Sequence, residues 1–138
     1  MDYSMHTPFA TLSVDVREVV DLGATSIGHR RMVPLAGGHV SGLIGTGSVL
    51  PGGTDWQWVH EDGTISIDAH YTLQLDTGER VEVESRGLRR VHDDETVYFR
   101  TVIRLTTTVA RPDINHRLFL AVGTRLEDRV LLDLFPIT

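Results

Sequence analysis

GLIGTGSVLPGGTDW, residues Gly42–Trp56, sets five glycines and a proline around two short apolar runs and ends on a carboxylate followed by an indole. Glycine this dense inside a strand pattern lets a backbone bend sharply or come very close to a neighbour. Kinks of that kind close a curved sheet, so the stretch reads as the corner of a small barrel with Asp55 and Trp56 presented at its rim.

Outward from that corner, period-two alternation dominates, and no segment holds a 3.6-residue period for ten residues. Along Thr64–Leu75, Ile65, Ile67, Ala69, Tyr71, Leu73 and Leu75 share one face, while Ser66, Asp68, His70, Thr72 and Gln74 share the other. Asp76-Thr77-Gly78-Glu79 turns the chain into Arg80–Arg90, where Val81 and Val83 alternate with Glu82, Glu84 and Arg86. The acidic loop Val91–Glu95 leads into Thr96–Thr108, with Val97, Phe99, Thr101, Ile103 and Leu105 opposed to Tyr98, Arg100, Arg104 and Thr106. Pro112 interrupts the pattern within Arg111–Asn115, and Arg117–Arg125 with Arg129–Ile137 make a last hairpin through Glu127-Asp128. Thr11–Val20, His29–Leu35, His39–Leu50 and Trp56–His60 complete eight or nine strands. Their even spacing and short connections predict one all-β domain over residues 1–138, an antiparallel closed or nearly closed barrel, with a β-sandwich as the competitor.

Composition narrows the chemistry. The chain of 138 residues has no cysteine and no lysine, its 13 basic residues all being arginine. Disulfides, thiolate sites, lysine Schiff bases and lysine-dependent phosphate loops are excluded. A net charge of −6 with interspersed signs offers no stripe for a phosphate backbone, so no nucleic-acid partner is expected. No apolar run approaches a membrane helix, and Met1–Phe9 reads as a short arm or the lead-in to the first strand rather than a secretory signal, so a cytoplasmic protein is the expectation. The seven histidines form no HxH or HExxH pair, and neither a metal nor another cofactor is expected. Gly42, Gly45 and Gly47 make a poor dinucleotide fingerprint because a strand follows them, and no serine sits in a nucleophile elbow.

A set of fragments resembles the family of bacterial and fungal proteins catalogued as domain of unknown function 3237, the UPF0311-type proteins. They are Gly23-Ala24-Thr25 with Gly28-His29-Arg30-Arg31, Val33-Pro34-Leu35 with Gly37-Gly38, and Val49-Leu50-Pro51-Gly52-Gly53 with Asp55-Trp56. Asp62-Gly63, Asp68 with Tyr71-Thr72-Leu73, Gly78, Arg86-Gly87 and Tyr98-Phe99-Arg100-Thr101 with Arg104 continue the match in order along nearly the whole chain. The resemblance implies a lipocalin-like or allene-oxide-cyclase-like barrel that self-associates as a homo-oligomer. It implies no settled activity for the family, with individual members acting on small aromatic or carbonyl compounds as lyases or isomerases without cofactor. Asp113-Ile114-Asn115-His116 departs from the family's Trp-Leu-Asn-like segment.

Three constellations carry candidate chemistry. Arg100 and Arg104 share a strand face with Tyr98; two guanidinium forks beside a phenol suit a bound carboxylate, phenolate or enolate, or else form an outer ladder with Glu82 and Glu84. Asp55 beside Trp56 is a general acid or base if the site is dry, or else a turn aspartate next to an indole plugging the barrel end; Trp58 shares the Trp56 face and reads as packing. Asp68 and His70, two residues apart on one face, suit an orienting carboxylate with an acid–base imidazole, a pair of metal ligands, or a solvated outer face. Tyr71, on the opposite side, reads as a core tyrosine with a bonded hydroxyl.

Two functions follow. In the first, a small aromatic or carbonyl substrate enters the barrel, Arg100 and Arg104 (with Trp56) hold it, and Asp55, Asp68, His70 or Tyr98 moves a proton in an isomerisation, cyclisation, decarboxylation or elimination. In the second, the barrel only binds or carries a small apolar or aromatic ligand.

Overall fold

Alternation gives each strand one apolar side, and closing the sheet on itself hides all those sides together. The computed structural model describes residues 6–138, so the reading of Met1–Phe9 as a short arm or strand lead-in lies, for residues 1–5, outside the described residues. Among those described, ten strands run in the order β1 (Ala10–Val16), β2 (Val20–Thr25), β3 (Gly28–Ser41), β4 (Gly47–Val49), β5 (Thr54–Val59), β6 (Ile65–Leu75), β7 (Arg80–Val91), β8 (Val97–Thr106), β9 (Leu118–Arg125) and β10 (Arg129–Pro136). A short helix, α1 (Pro112–Asn115), lies between β8 and β9. The sheet follows β1-β10-β9-β8-β7-β6-β4-β3, and an antiparallel β1–β3 ladder closes it into a ring. β4 and β5 share the position between β3 and β6, while β2 continues the β1 side along the first half of β3. The closed barrel expected from the alternation is therefore present, as eight antiparallel strands with two extra ones. None of the described helices is long and apolar enough to cross a membrane.

Strand limits differ from the sequence reading in two places. Thr11–Val20 breaks after Val16, and a separate β2 begins at Val20. His29–Leu35 and the start of His39–Leu50 are instead one long strand, β3. The pair Gly37-Gly38 bends that strand without ending it: the register passes from Asp15↔Gly37 to Val16↔Leu35, leaving Ala36 as a bulge. Gly38 has φ +139°, and a Cβ there would fall inside the contact shell of the Ser13 carbonyl oxygen on β1. The closing ladder is thus drawn together at a position that only glycine fits.

In the quoted stretch, Gly45 N–H donates to the Gly42 carbonyl at 3.0 Å to form the turn before β4, and Leu50–Gly53 carries the chain to β5. A Cβ on Gly53 would stand 2.6 Å from the Cβ of Tyr71, so the chain entering β5 lies directly against that tyrosine.

One end of the barrel is filled by Phe9, Ile44, Leu75, Leu105, Ile114 and Phe119, all buried, with the Phe9 and Phe119 rings 5.0 Å apart. The segment that interrupts the alternation supplies part of this plug: α1 buries Ile114, and Arg111 anchors it by ion pairs to Glu79 (2.7 Å) and Asp113 (3.0 Å). The opposite end keeps a cavity.

Gly38→Ala should lower the unfolding free energy in urea by about 2–4 kcal/mol, combining a disfavoured φ with a backbone clash. Gly78→Ala, which has positive φ but open space around it, should cost only about 1 kcal/mol. Equal losses would contradict the close approach of β1 and β3.

Candidate functional site

Strand alternation decides which groups meet in the cavity. On β5, Asp55 and Gln57 turn inward, and Trp56 and Trp58 turn outward. In register, Asp55 lies between Val33 and Ala69, and Gln57 between Arg31 and Ile67. Along β7 the apolar row Val81, Val83 continues inward as Ser85 and then Arg89. β6 contributes Tyr71, β8 Phe99 and Thr101, and β9 Arg125. The remaining wall is aliphatic, formed by Val14, Val33, Leu35, Ile67 and Leu132. The cavity has a volume of about 50 Å³, enough for a few waters or one compact ligand fragment.

A relay of side chains fixes the carboxylate. Arg31 Nε donates to Gln57 Oε1 at 2.7 Å, and Gln57 Nε2 donates to Asp55 Oδ2 at 2.7 Å. With its oxygen held by a guanidinium, the amide must present its NH2 to Asp55. Asp55 Oδ1 accepts the Asp68 backbone N–H at 3.2 Å. Burial nevertheless outweighs these donors and pushes the Asp55 carboxyl from an ordinary 3.8 up to about 6, with the Arg89 charge pulling it down and Asp68 pushing it up by lesser amounts. This group exchanges its proton close to neutral pH.

Around it, the polar groups are unevenly satisfied. Ser85 Oγ donates to Thr101 Oγ1 at 2.8 Å, both side chains being buried. Tyr71, 5% exposed, lines the cavity with a hydroxyl that has no hydrogen-bond partner. Its burial, and then the Asp55 charge, raise the phenol's pKa, so it stays a protonated donor. Arg125 donates to the carbonyls of Leu126 and Glu127 in the β9–β10 turn. Arg89 is lowered from the ordinary arginine range by burial and by the nearby charges of Arg125 and Arg31. Among the described residues its guanidinium has no hydrogen-bond or ion-pair partner.

Most residues singled out from sequence lie elsewhere. Arg100, Arg104 and Tyr98 occupy the outer face of β8, with the Arg100 guanidinium 5.4 Å from the Tyr98 ring and Arg104 beside Glu84 in register. The arginine pair therefore does not line the cavity, because the apolar parity of Phe99, Thr101, Ile103 and Leu105 claims the lumen. Asp68 and His70 do meet, at 3.3 Å, but on the outside of β6, where Arg86 also pairs with Asp68 at 3.2 Å. His70 converges with Glu82 and Glu84 within 4.8 Å there, an exposed surface cluster. Trp56, 38% exposed, neither plugs the barrel nor stands beside the Asp55 carboxyl. It flanks Arg30, whose guanidinium lies 4.9 Å from the Trp56 ring and 4.2 Å from that of Trp58. Of the seven, Asp55 alone has its side chain in the lumen.

Comparison with known proteins decides the family. The family model "Protein of unknown function (DUF3237)" matches residues 5–137. The chain belongs to the DUF3237 family. A UPF0311 protein of Bradyrhizobium diazoefficiens is 33% identical over 92% of both chains, and one of Clostridium acetobutylicum is 31% identical over 93% of this chain and 90% of its own. Among solved structures, a beta-barrel like protein from Acinetobacter baumannii superposes with a TM-score of 0.88 at 28% identity, covering 95% of this chain and 94% of that one. A protein with unknown function from Clostridium acetobutylicum also gives 0.88, at 30% identity over 96% and 98%. An enzyme from Penicillium herquei shares the fold alone, with a TM-score of 0.71 at 18% identity over 94% and 97%.

In this DUF3237 barrel, sequence reasoning passed over Gln57, Arg31, Arg89 and Arg125, and it gave Tyr71 a bonded hydroxyl that the structure lacks. The available signal was polar residues at apolar parity: Ser85 and Arg89 follow Val81 and Val83 on the same face.

Two stability predictions follow from this geometry. A carboxyl whose folded pKa lies above its unfolded one stabilises the fold fully below the unfolded value and loses that contribution as pH rises through the folded value. From pH 4 to pH 7, wild-type unfolding free energy should therefore fall relative to Asp55→Asn by on the order of 2 kcal/mol. Parallel urea-denaturation curves would contradict the raised pKa. Tyr71→Phe, which removes a hydroxyl with no partner to lose, should be neutral or stabilising by up to about 1 kcal/mol in the ligand-free protein; a clear loss of stability would show that the hydroxyl is bonded.

Proposed function

We propose that this DUF3237 barrel is a cofactor-independent acid–base enzyme that takes a small aromatic or carbonyl compound into its lumen, with Asp55 as the proton-transferring group. The observation that carries this reading is the placement of a carboxyl titrating near 6 in a cavity, next to a buried phenol donor without a partner. Ionised Asp55 removes a proton from carbon next to a carbonyl, or from a phenol. The electron pair left behind moves onto the oxygen, where the Tyr71 hydroxyl and the Arg89 charge stabilise it. Protonated Asp55 then returns the proton to another carbon, giving isomerisation, or to a departing group, giving elimination. Gln57 and Arg31 hold the carboxylate in place throughout. The roles assigned from sequence to Arg100, Arg104 and Tyr98 pass in this proposal to Arg89 and Tyr71.

The aliphatic wall of Val33, Leu35 and Ile67 also favours the second reading, a barrel that stores or carries an apolar or aromatic ligand without turning it over. Solvent-isotope exchange separates the two without knowledge of the net reaction. Incubated in D2O with a panel of small cyclic ketones, β-dicarbonyls and hydroxyaryl ketones, the wild type should catalyse α-deuteration of at least one compound. Asp55→Asn should slow it by about a hundredfold or more, and the wild-type rate should rise with pH through about 6, where Asp55 becomes the base. Binding without exchange supports the carrier, and exchange undiminished in Asp55→Asn removes Asp55 from the mechanism.

A further inference from the structure

We propose that the ligand of the lumen is a small carboxylate, a compact monoanion whose charged group docks on the Arg89 guanidinium while the Tyr71 hydroxyl donates to an acceptor on the same molecule. For its chemical step this rests on the reading above; its binding part stands separately.

The argument begins with charge. The chain carries 19 acidic residues against 13 arginines, yet at the cavity the balance reverses. Arg89 and Arg125 line it with a single carboxylate, Asp55, and Arg31 stands behind Gln57. None of the three is in an ion pair among the described residues. Arg31 gives its Nε to Gln57, and Arg125 gives one terminal nitrogen, Nη1, to turn carbonyls. Of the two arginines that line the cavity, Arg89 has its whole guanidinium uncommitted among the described residues, a planar fork that accepts a carboxylate through two parallel bonds.

Tyr71 is the second and independent observation. A buried hydroxyl is normally bonded, and this one is not. It stands against a cavity shared with Arg89 and Asp55, and a ligand with an anionic end and an acceptor would satisfy both groups together. The other polar side chains of the wall are bonded to one another, Ser85 to Thr101 and Gln57 to Asp55, and the space suits a ring or short chain rather than an extended polyanion.

Benzoate and benzamide test this directly, because they share a shape and differ by one charge. By calorimetric or NMR titration, wild-type protein should bind benzoate at least tenfold more tightly than benzamide. In Arg89→Gln the preference should fall to twofold or less, while Asp55→Asn should keep or increase it by removing the competing carboxylate. Should Arg89→Gln fail to fold, the Arg89 Nε–H resonance of the wild type gives the same answer, shifting with benzoate and not with benzamide. Equal affinities, absence of benzoate binding, or a preference that survives in Arg89→Gln would overturn the proposal. Benzoate has no α-proton to exchange, so this result is independent of the isotope experiment: carboxylate preference without exchange would sink only the enzymatic reading, and exchange without preference only this one.

Discussion

Closure through the β1–β3 ladder is the constraint on which the remaining structure depends. Once β1 and β3 pair across Val14↔Gly38 and Leu12↔Val40, every strand has a lumen side and a solvent side, and one residue's displacement exchanges them. Consecutive residues then part company, so that Asp55 enters the dry interior and Trp56 leaves it for an outer stack with Arg30. Gly38 permits the approach, and the bulge at Ala36 supplies the bend that a long strand needs to serve two neighbours on each side.

Within the tube the two ends have opposite characters. The end holding Phe9, Phe119 and Ile114 is packed aliphatic and aromatic matter, pinned by α1 and Arg111. The other end takes in a carboxyl, a primary amide, a hydroxyl pair, a phenol and arginines. Burying such groups costs stability unless each is paired. The Arg31–Gln57–Asp55 relay and the Ser85–Thr101 bond meet that requirement; among the described residues the Tyr71 hydroxyl does not. A buried hydroxyl without a partner beside a free guanidinium, at one end of an otherwise well-packed barrel, is the expected mark of a ligand site.

The architecture was legible because alternation over Ile65–Leu75 and Val97–Leu105 is nearly unbroken, and the register observed for β6, β7 and β8 follows it residue by residue. Gly37-Gly38 misled as a strand boundary because a glycine pair signals a bulge and a break alike. The site was less legible. Outward polar residues on β8 looked like a clamp, since Arg100, Arg104 and Tyr98 form an attractive chemical set, and spacing alone does not state which parity faces the lumen. The apolar row of the same strand did state it: the face with Phe99, Ile103 and Leu105 had to be the inner one, and Thr101 was already on it. Arg89 and Arg125 fall near strand ends, where inward parity reaches the mouth of the barrel, and only the three-dimensional ring brings them beside Arg31.

The account turns on the environment of one carboxyl group. Carbon-13 NMR of the Asp55 side-chain carboxyl, followed from pH 3 to pH 8 in the ligand-free protein, reads that environment without any substrate. The account predicts a midpoint near 6. A midpoint at about 4, the value of an aspartate in water, would mean that solvent reaches the group freely and that the lumen is not the site described.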